Sequence, residues 1–175
     1  KAIVINPNYA DAHNSLGILF NSLGETQKAK NCYEKAIKIN PNHTNAHYNL
    51  GNVFREFGEN QKAIGCYEKV IRINPSYVDA YNNLGMIFVT LGETQKAKNC
   101  YEKITGINPN NPKSHNNLGN IFNKLGDNQK AIACYEKAIE INPNYADAHN
   151  NLGIIFRELG DNQKAKDCFI KAIEI

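Results

Sequence analysis

The stretch Asn116-Asn117-Leu118-Gly119 decides the fold, because the chain returns to it at a fixed interval. Asn14-Ser15-Leu16-Gly17, Tyr48-Asn49-Leu50-Gly51, Asn82-Asn83-Leu84-Gly85 and Asn150-Asn151-Leu152-Gly153 follow the same pattern, 34 residues apart, without insertion or deletion. Such a period marks a linear array in which each supersecondary unit leans on its neighbours, rather than a domain built round one core. Complete units run 10–43, 44–77, 78–111 and 112–145, and a fifth, 146–175, lacks its final turn. Residues 1–9 match the tail of a preceding unit: Lys1-Ala2-Ile3-Val4-Ile5 differs from Lys171-Ala172-Ile173-Glu174-Ile175 at one position. The expectation is a fragment of a longer array.

Working outward from Leu-Gly, two helices are legible in every unit. Ala12, Leu16, Leu19, Phe20 and Leu23 make one apolar face at helical spacing, and Ala29, Cys32, Tyr33, Ala36 and Ile37 make a second. Gly24 ends the first helix, and Glu25-Thr26 is expected to cap the next. Asn40-Pro41 breaks the second helix, since proline lacks an amide hydrogen and disfavours a helical residue before it. Asn42 is expected to cap the following helix. Asp11 and Asp147 fall near helix N-termini, where the macrodipole favours acids, and Pro112 fits a first helical turn. Gly106 predicts a weak end to the second helix of the third unit, glycine costing about 1 kcal/mol within a helix. On the second helices Glu34 is placed to pair with Lys38, and Glu68 with Arg72.

Composition excludes several function classes. Hydrophobic residues make up 42% and charged residues 21%, ordinary values for a folded soluble chain. No apolar run nears the ~18 residues of a membrane span. A net charge of +3 is too small to argue for nucleic acid or an anionic membrane. The five cysteines, Cys32, Cys66, Cys100, Cys134 and Cys168, also recur every 34 residues. Equivalent helices stand about 10 Å apart, whereas a disulfide needs Cα atoms within about 7 Å. Free, buried thiols and a reducing, cytoplasmic compartment are therefore expected. The same spacing keeps His13, His47, His115 and His149 from sharing a metal, and His43 and His47 have no third ligand beside them. The glycines are single and periodic, so no phosphate loop is present. No catalytic signature and no cofactor site emerge.

The pattern resembles the tetratricopeptide repeat. Leu16, Gly17, Phe20, Gly24, Ala29, Tyr33, Ala36 and Pro41 carry the resemblance in the first unit; Leu118, Gly119, Phe122, Gly126, Ala131, Tyr135, Ala138 and Pro143 carry it in the fourth. The large aromatic common at the fourth position of this repeat is replaced by His13, His47, Tyr81, His115 and His149. The resemblance implies an all-α, right-handed superhelix of stacked helical hairpins whose first helices line a concave face. Physically, Gly17 and Ala36 are expected to let helix axes approach, and Phe20 and Tyr33 to fill the space between hairpins. A second rhythm lies beneath the first: Ile18, Met86 and Ile154 alternate with Asn52 and Asn120, and Lys30, Lys98 and Lys166 with Ile64 and Ile132. It marks a 68-residue duplication.

The residues just before Leu-Gly are the candidate site. Ser15, Asn49, Asn83, Asn117 and Asn151 directly precede the leucine, with Asn14, Tyr48, Asn82, Asn116 and Asn150 one residue earlier. An amide both donates and accepts, so a row of them can pair with peptide backbone whatever its sequence. The row is similar to the asparagine ladder in the repeat arm of O-linked N-acetylglucosamine transferases, which implies peptide binding along the groove. Asn52, Asn120, Arg55, Asn123, Lys124 and Arg157 follow one or two turns on. The carboxylate clamp of the family needs lysine where Asn14, Tyr48, Asn82, Asn116 and Asn150 stand, so chaperone tails are not the expected ligand. The functional expectation is a non-enzymatic scaffold binding an extended peptide or partner helix. Two alternatives stay open: the recognition arm of a transferase catalysing elsewhere, and end-to-end self-association through uncapped terminal repeats.

Overall fold

The computed structural model describes residues 9–175, so the expected tail of a preceding unit, Tyr9 apart, lies outside the described residues. Ten helices and no strand occur among the described residues. They are α1 (Ala10–Ser22), α2 (Thr26–Ile39), α3 (Thr44–Glu56), α4 (Asn60–Ile73), α5 (Val78–Thr90), α6 (Thr94–Ile107), α7 (Pro112–Lys124), α8 (Asn128–Ile141), α9 (Ala146–Glu158) and α10 (Asn162–Glu174). The fold class is an all-α helical-repeat superhelix. The chain forms two compact units, one ending at Leu84 and the other beginning at Gly85, so the boundary falls inside α5.

In the first unit α1 pairs with α2 and α3 with α4, α2 packs on α3, and the first helices α1 and α3 touch directly. The second unit repeats this plan: α7 pairs with α8 and α9 with α10, α6 packs on α7, α8 on α9, and α7 touches α9. The link between hairpins is an alanine contact. Ala36 and Ala46 are fully buried against each other's helices with Ala10, Ile37 and Ile39 around them. In the second unit Ala138 and Ala148 do the same, within a core of Ala131, Tyr135, Leu152 and Ile155.

The recurring glycine of Leu-Gly has a more specific partner than a neighbouring helix axis. A Cβ on Gly17 would stand 2.5 Å from the Tyr33 ring of the same hairpin, and one on Gly119 would stand 2.5 Å from Tyr135. Gly51, Gly85 and Gly153 meet Tyr67, Tyr101 and Phe169 in the same way. The tyrosine therefore lies on the glycine. Tyr33, Tyr67, Tyr101 and Tyr135 are all buried, each ring contributing roughly 1.5–3 kcal/mol. The Phe rings sit nearer the surface under lysine ammonium groups. Lys28 lies 5.4 Å from the Phe20 centroid and Lys164 lies 5.2 Å from Phe156. Phe54 carries both Lys30 and Lys62, and Phe122 both Lys98 and Lys130, because only odd repeats supply the second lysine.

Turn chemistry is equally periodic. Gly24 takes φ +76°, its N–H bonding Asn21 O and that of Glu25 bonding Phe20 O, a Schellman closure. Between hairpins, Asn40 Oδ1 accepts from the backbone of Asn42, with Asn74, Asn108 and Asn142 repeating the bond.

Four local expectations need correction. Asn42 does not cap α3: His43 occupies the cap, its Nδ1 accepting from Ala46 N, while Asn42 Oδ1 takes the Lys69 ammonium. Glu25 makes no capping bond either, since its longer arm reaches Lys28; the shorter Asp127 and Asp161 do cap, at Lys130 N and Lys164 N. Gly106 does not shorten α6, which runs to Ile107 because Ile104 is buried one turn earlier. Glu34 pairs with Lys30 at 3.9 Å instead of Lys38, and Glu68 and Arg72 form no ion pair among the described residues.

Candidate functional site

Each first helix presents the residues before Leu-Gly along one flank, and the structure ties many of them to the preceding repeat. In the first unit Asn49 Nδ2 donates to Asn14 Oδ1 at 3.0 Å. Asn83 Nδ2 donates to Asn52 Oδ1 at 3.0 Å and approaches the Tyr48 hydroxyl at 3.4 Å. Tyr67 OH adds a 2.7 Å bond to the same Asn52 oxygen. Tyr48 also stacks at a tilt on Tyr67 and Tyr77, with centroids 5.9 and 5.1 Å apart. The second unit shows the same arrangement: Asn151 Nδ2 bonds Asn116 Oδ1 at 3.0 Å and Asn120 Oδ1 at 3.1 Å, and Tyr135 OH bonds Asn120 Oδ1 at 2.7 Å.

This alters the role of the asparagines. Asn49, Asn83 and Asn151, with their acceptors Asn14, Tyr48, Asn52, Asn116 and Asn120, bridge hairpin to hairpin. Asn14, Asn83 and Asn116 are buried, Tyr48, Asn49, Asn52, Asn82, Asn117 and Asn151 half-buried, and Asn120, Asn150, Arg55 and Arg157 exposed. Asn49 donates one bond to its neighbour and Asn83 and Asn151 two each, so the orientation of these amides is fixed and their carbonyls have no partner among the described residues. Arg55 lies beside the Tyr67 hydroxyl. Burial nonetheless pushes Tyr67 up to about 12, the Arg55 guanidinium opposing the shift; burial likewise holds Tyr135 at about 12. Both hydroxyls therefore remain donors at neutral pH.

The second unit also contains a cleft of about 370 Å³ beside this row. Met86 and Val89 of α5, Tyr101 of α6, and Asn117, Ile121 and Lys124 of α7 line it.

The histidines at the fourth position have a part the sequence did not reveal. The Nε2–H groups of His47, His115 and His149 reach back to Pro41 O, Pro109 O and Pro143 O at 3.0, 2.8 and 2.9 Å. They pin the first helix to the preceding turn. Desolvation holds His47 below the usual imidazole range, with Lys69 and His43 lowering it further against the Pro41 carbonyl. His43 itself links α3 to α1 through Asp11 Oδ1 at 3.0 Å. The i,i+6 spacing of proline and histidine was the available signal.

Cys32 and Cys100 are buried, whereas Cys66, Cys134 and Cys168 are only half-buried, and all five are free thiols. Burial raises Cys66 and Cys134 to about 11, with Glu34 and Glu102 adding to it, so neither is a thiolate at neutral pH. Among the described residues no three His, Cys, Asp or Glu side chains stand close enough to hold a metal ion. No described helix is long and apolar enough to cross a membrane.

No curated protein matches the chain in sequence. Among solved structures it is similar to MamA, at 26% identity and TM-score 0.84, over 90% of this chain and 92% of that one. It is similar to YrrB, described as a TPR protein with an unusual peptide-binding site, at 25% identity and TM-score 0.86, over 99% and 90%. Similarity to PilF of Pseudomonas aeruginosa, at 22% identity and TM-score 0.77 over 93% and 76%, concerns the fold alone. Tetratricopeptide-repeat family models match residues 10–43 and 146–175, 78–111, and 32–65 and 100–133, and a TPR-repeat model matches 51–92 and 119–160. With the helical hairpins, the Gly–Tyr contacts and these matches together, the chain belongs to the tetratricopeptide-repeat family.

Proposed function

We propose that this protein is a non-catalytic interaction scaffold that holds an extended peptide against the first helices of its repeats. The observation that carries the reading is the set of oriented amides. Asn49 gives one hydrogen bond to the preceding repeat and Asn83 and Asn151 give two each, which locks the side chains and leaves their carbonyls without a partner among the described residues. A preorganised amide binds backbone without a large ordering cost. YrrB, a fold relative at 25% identity, is described as having a peptide-binding site, which supports the same use here. Replacing Asn49, Asn83, Asn117 and Asn151 together with Ala should weaken capture of extended peptides by at least tenfold, at about 0.5–1.5 kcal/mol per lost bond. Because three of these amides also bridge repeats, thermal melting must accompany the binding assay. Unchanged capture by a folded variant would remove the amides from the site.

The exposed apolar face of α10, with Ile170 and Ile173 43% and 84% exposed, favours a second reading in which copies of the chain associate. Sedimentation velocity across a concentration series decides it: a single monomeric species throughout eliminates association.

A further inference from the structure

The cleft of the second unit differs from the rest of the amide row in what it leaves unsatisfied. Asn117 lines it and, unlike Asn49, Asn83 and Asn151, has no hydrogen-bond partner among the described residues. Asn120 Oδ1 is already occupied by Tyr135 and Asn151, so only its Nδ2 is left to offer. Lys124 forms no ion pair among the described residues. Between these groups lie apolar walls, with Met86 43% and Val89 40% exposed and Ile121 at the floor. The polar rim is thus rich in donors and carries one uncompensated positive charge.

The first copy of the 68-residue duplication shows that this is not a property of the repeat. Sixty-eight residues before Lys124 the chain has Glu56, before Val89 it has Asn21, and before Asn117 it has Asn49, already tied to Asn14. The next repeat has Glu158 at the lysine position. The chain therefore changes charge, polarity and free hydrogen-bonding capacity together, at one cleft.

We infer that this cleft selects a peptide segment in which an apolar side chain of leucine or methionine size enters between Met86, Val89 and Ile121 while a carboxylate side chain about two residues away meets Lys124. The inference rests on the peptide-scaffold reading and names the ligand class for one part of it. Asn117 and Lys124 are seven residues apart on one face of α7, roughly 10 Å along the helix. An extended strand covers that in about three residues at ~3.3 Å each, which sets the spacing between the backbone bonded by Asn117 and the acid.

Fluorescence anisotropy with labelled nine-residue Gly/Ser peptides tests it. The set carries a central Leu with Glu, Gln or Lys two residues before or after it, and a matched series with Ala in place of Leu. The intact chain should favour the Leu–Glu peptides over Leu–Gln by about three- to fivefold, the size of an exposed ion pair. That preference should shrink in high salt. Lys124→Glu, the residue that two of its counterparts, Glu56 and Glu158, already supply, should invert the order in favour of Leu–Lys with circular dichroism unchanged. If the peptides bind, and lose binding on the fourfold amide replacement, yet Glu, Gln and Lys bind alike or the order survives Lys124→Glu, the inference fails and the scaffold reading stands. If no peptide of the set binds at all, both fail.

Discussion

At the scale of single residues, the glycine before each first-helix aromatic is defined by a ring. A Cβ at position 119 would have to displace Tyr135, buried on all sides, by most of an ångström. Gly119→Ala gains about 1 kcal/mol of helix propensity but should still be net destabilising by about 1–3 kcal/mol through overpacking. Gly65→Ala, where nothing lies within 4 Å, should instead stabilise; urea midpoints of the two variants make the comparison. The His47 bond to Pro41 O gives a pH signature. Desolvation lowers the folded-state pKa of His47 below its unfolded value, so the unfolded chain binds more protons in that window. Stability is therefore full above the unfolded value near 6.5 and falls as pH drops through the folded one. His47→Gln should lose less stability than the parent between pH 7.5 and pH 5, measured by urea unfolding at each pH.

At the scale of elements, helix ends show what could and could not be read in advance. Gly24 and Asn40-Pro41 stop helices for reasons internal to the backbone, a positive φ and a missing N–H, and the sequence displays both. Caps were harder, because capping depends on the length of a side chain relative to a backbone N–H and on competing partners. Glu25, Glu59 and Glu93 prefer the lysine three residues on, whereas Asp127 and Asp161 reach both the amide and the lysine. Glu93→Asp should accordingly create the capping bond seen at Asp127 and raise stability by about 0.5 kcal/mol, read as a shift in the denaturant midpoint. His43 escaped notice as a cap because imidazole is rarely one; it works here because Asp11 of the preceding hairpin holds Nε2 and so leaves Nδ1 facing Ala46 N.

At the scale of the whole chain, the 34-residue period and its helices were plain in the sequence, while the wiring of the amide row was not. Asn49 and Asn151 look like surface residues when each repeat is read alone; their partners, Asn14 and Asn116, stand 35 residues earlier. The 68-residue alternation was legible; at the ninth position of the repeat it coincides with a hydrogen bond. Where the ninth position is Asn52 or Asn120, Tyr67 or Tyr135 donates to it; where it is Ile18, Tyr33 has no such acceptor; where it is Ile154, the ring partner has become Phe169. The ring and the ninth position thus form a matched pair, and the chain contains both matched states. Tyr135→Phe alone should cost about 0.5–1.5 kcal/mol, since it removes the donor and leaves Asn120 short of one bond. Tyr33→Phe should cost little. Asn120→Ile alone should cost more than Tyr135→Phe, because it strands both the buried Tyr135 hydroxyl and an N–H of Asn151. Joining Asn120→Ile with Tyr135→Phe rebuilds the Ile154–Phe169 state in the fourth repeat, so the double variant should be more stable than the sum of the single losses predicts. A double-mutant cycle by urea unfolding measures that coupling directly. Strict additivity would mean that the alternation reflects the history of the duplication and not a bond the fold depends on.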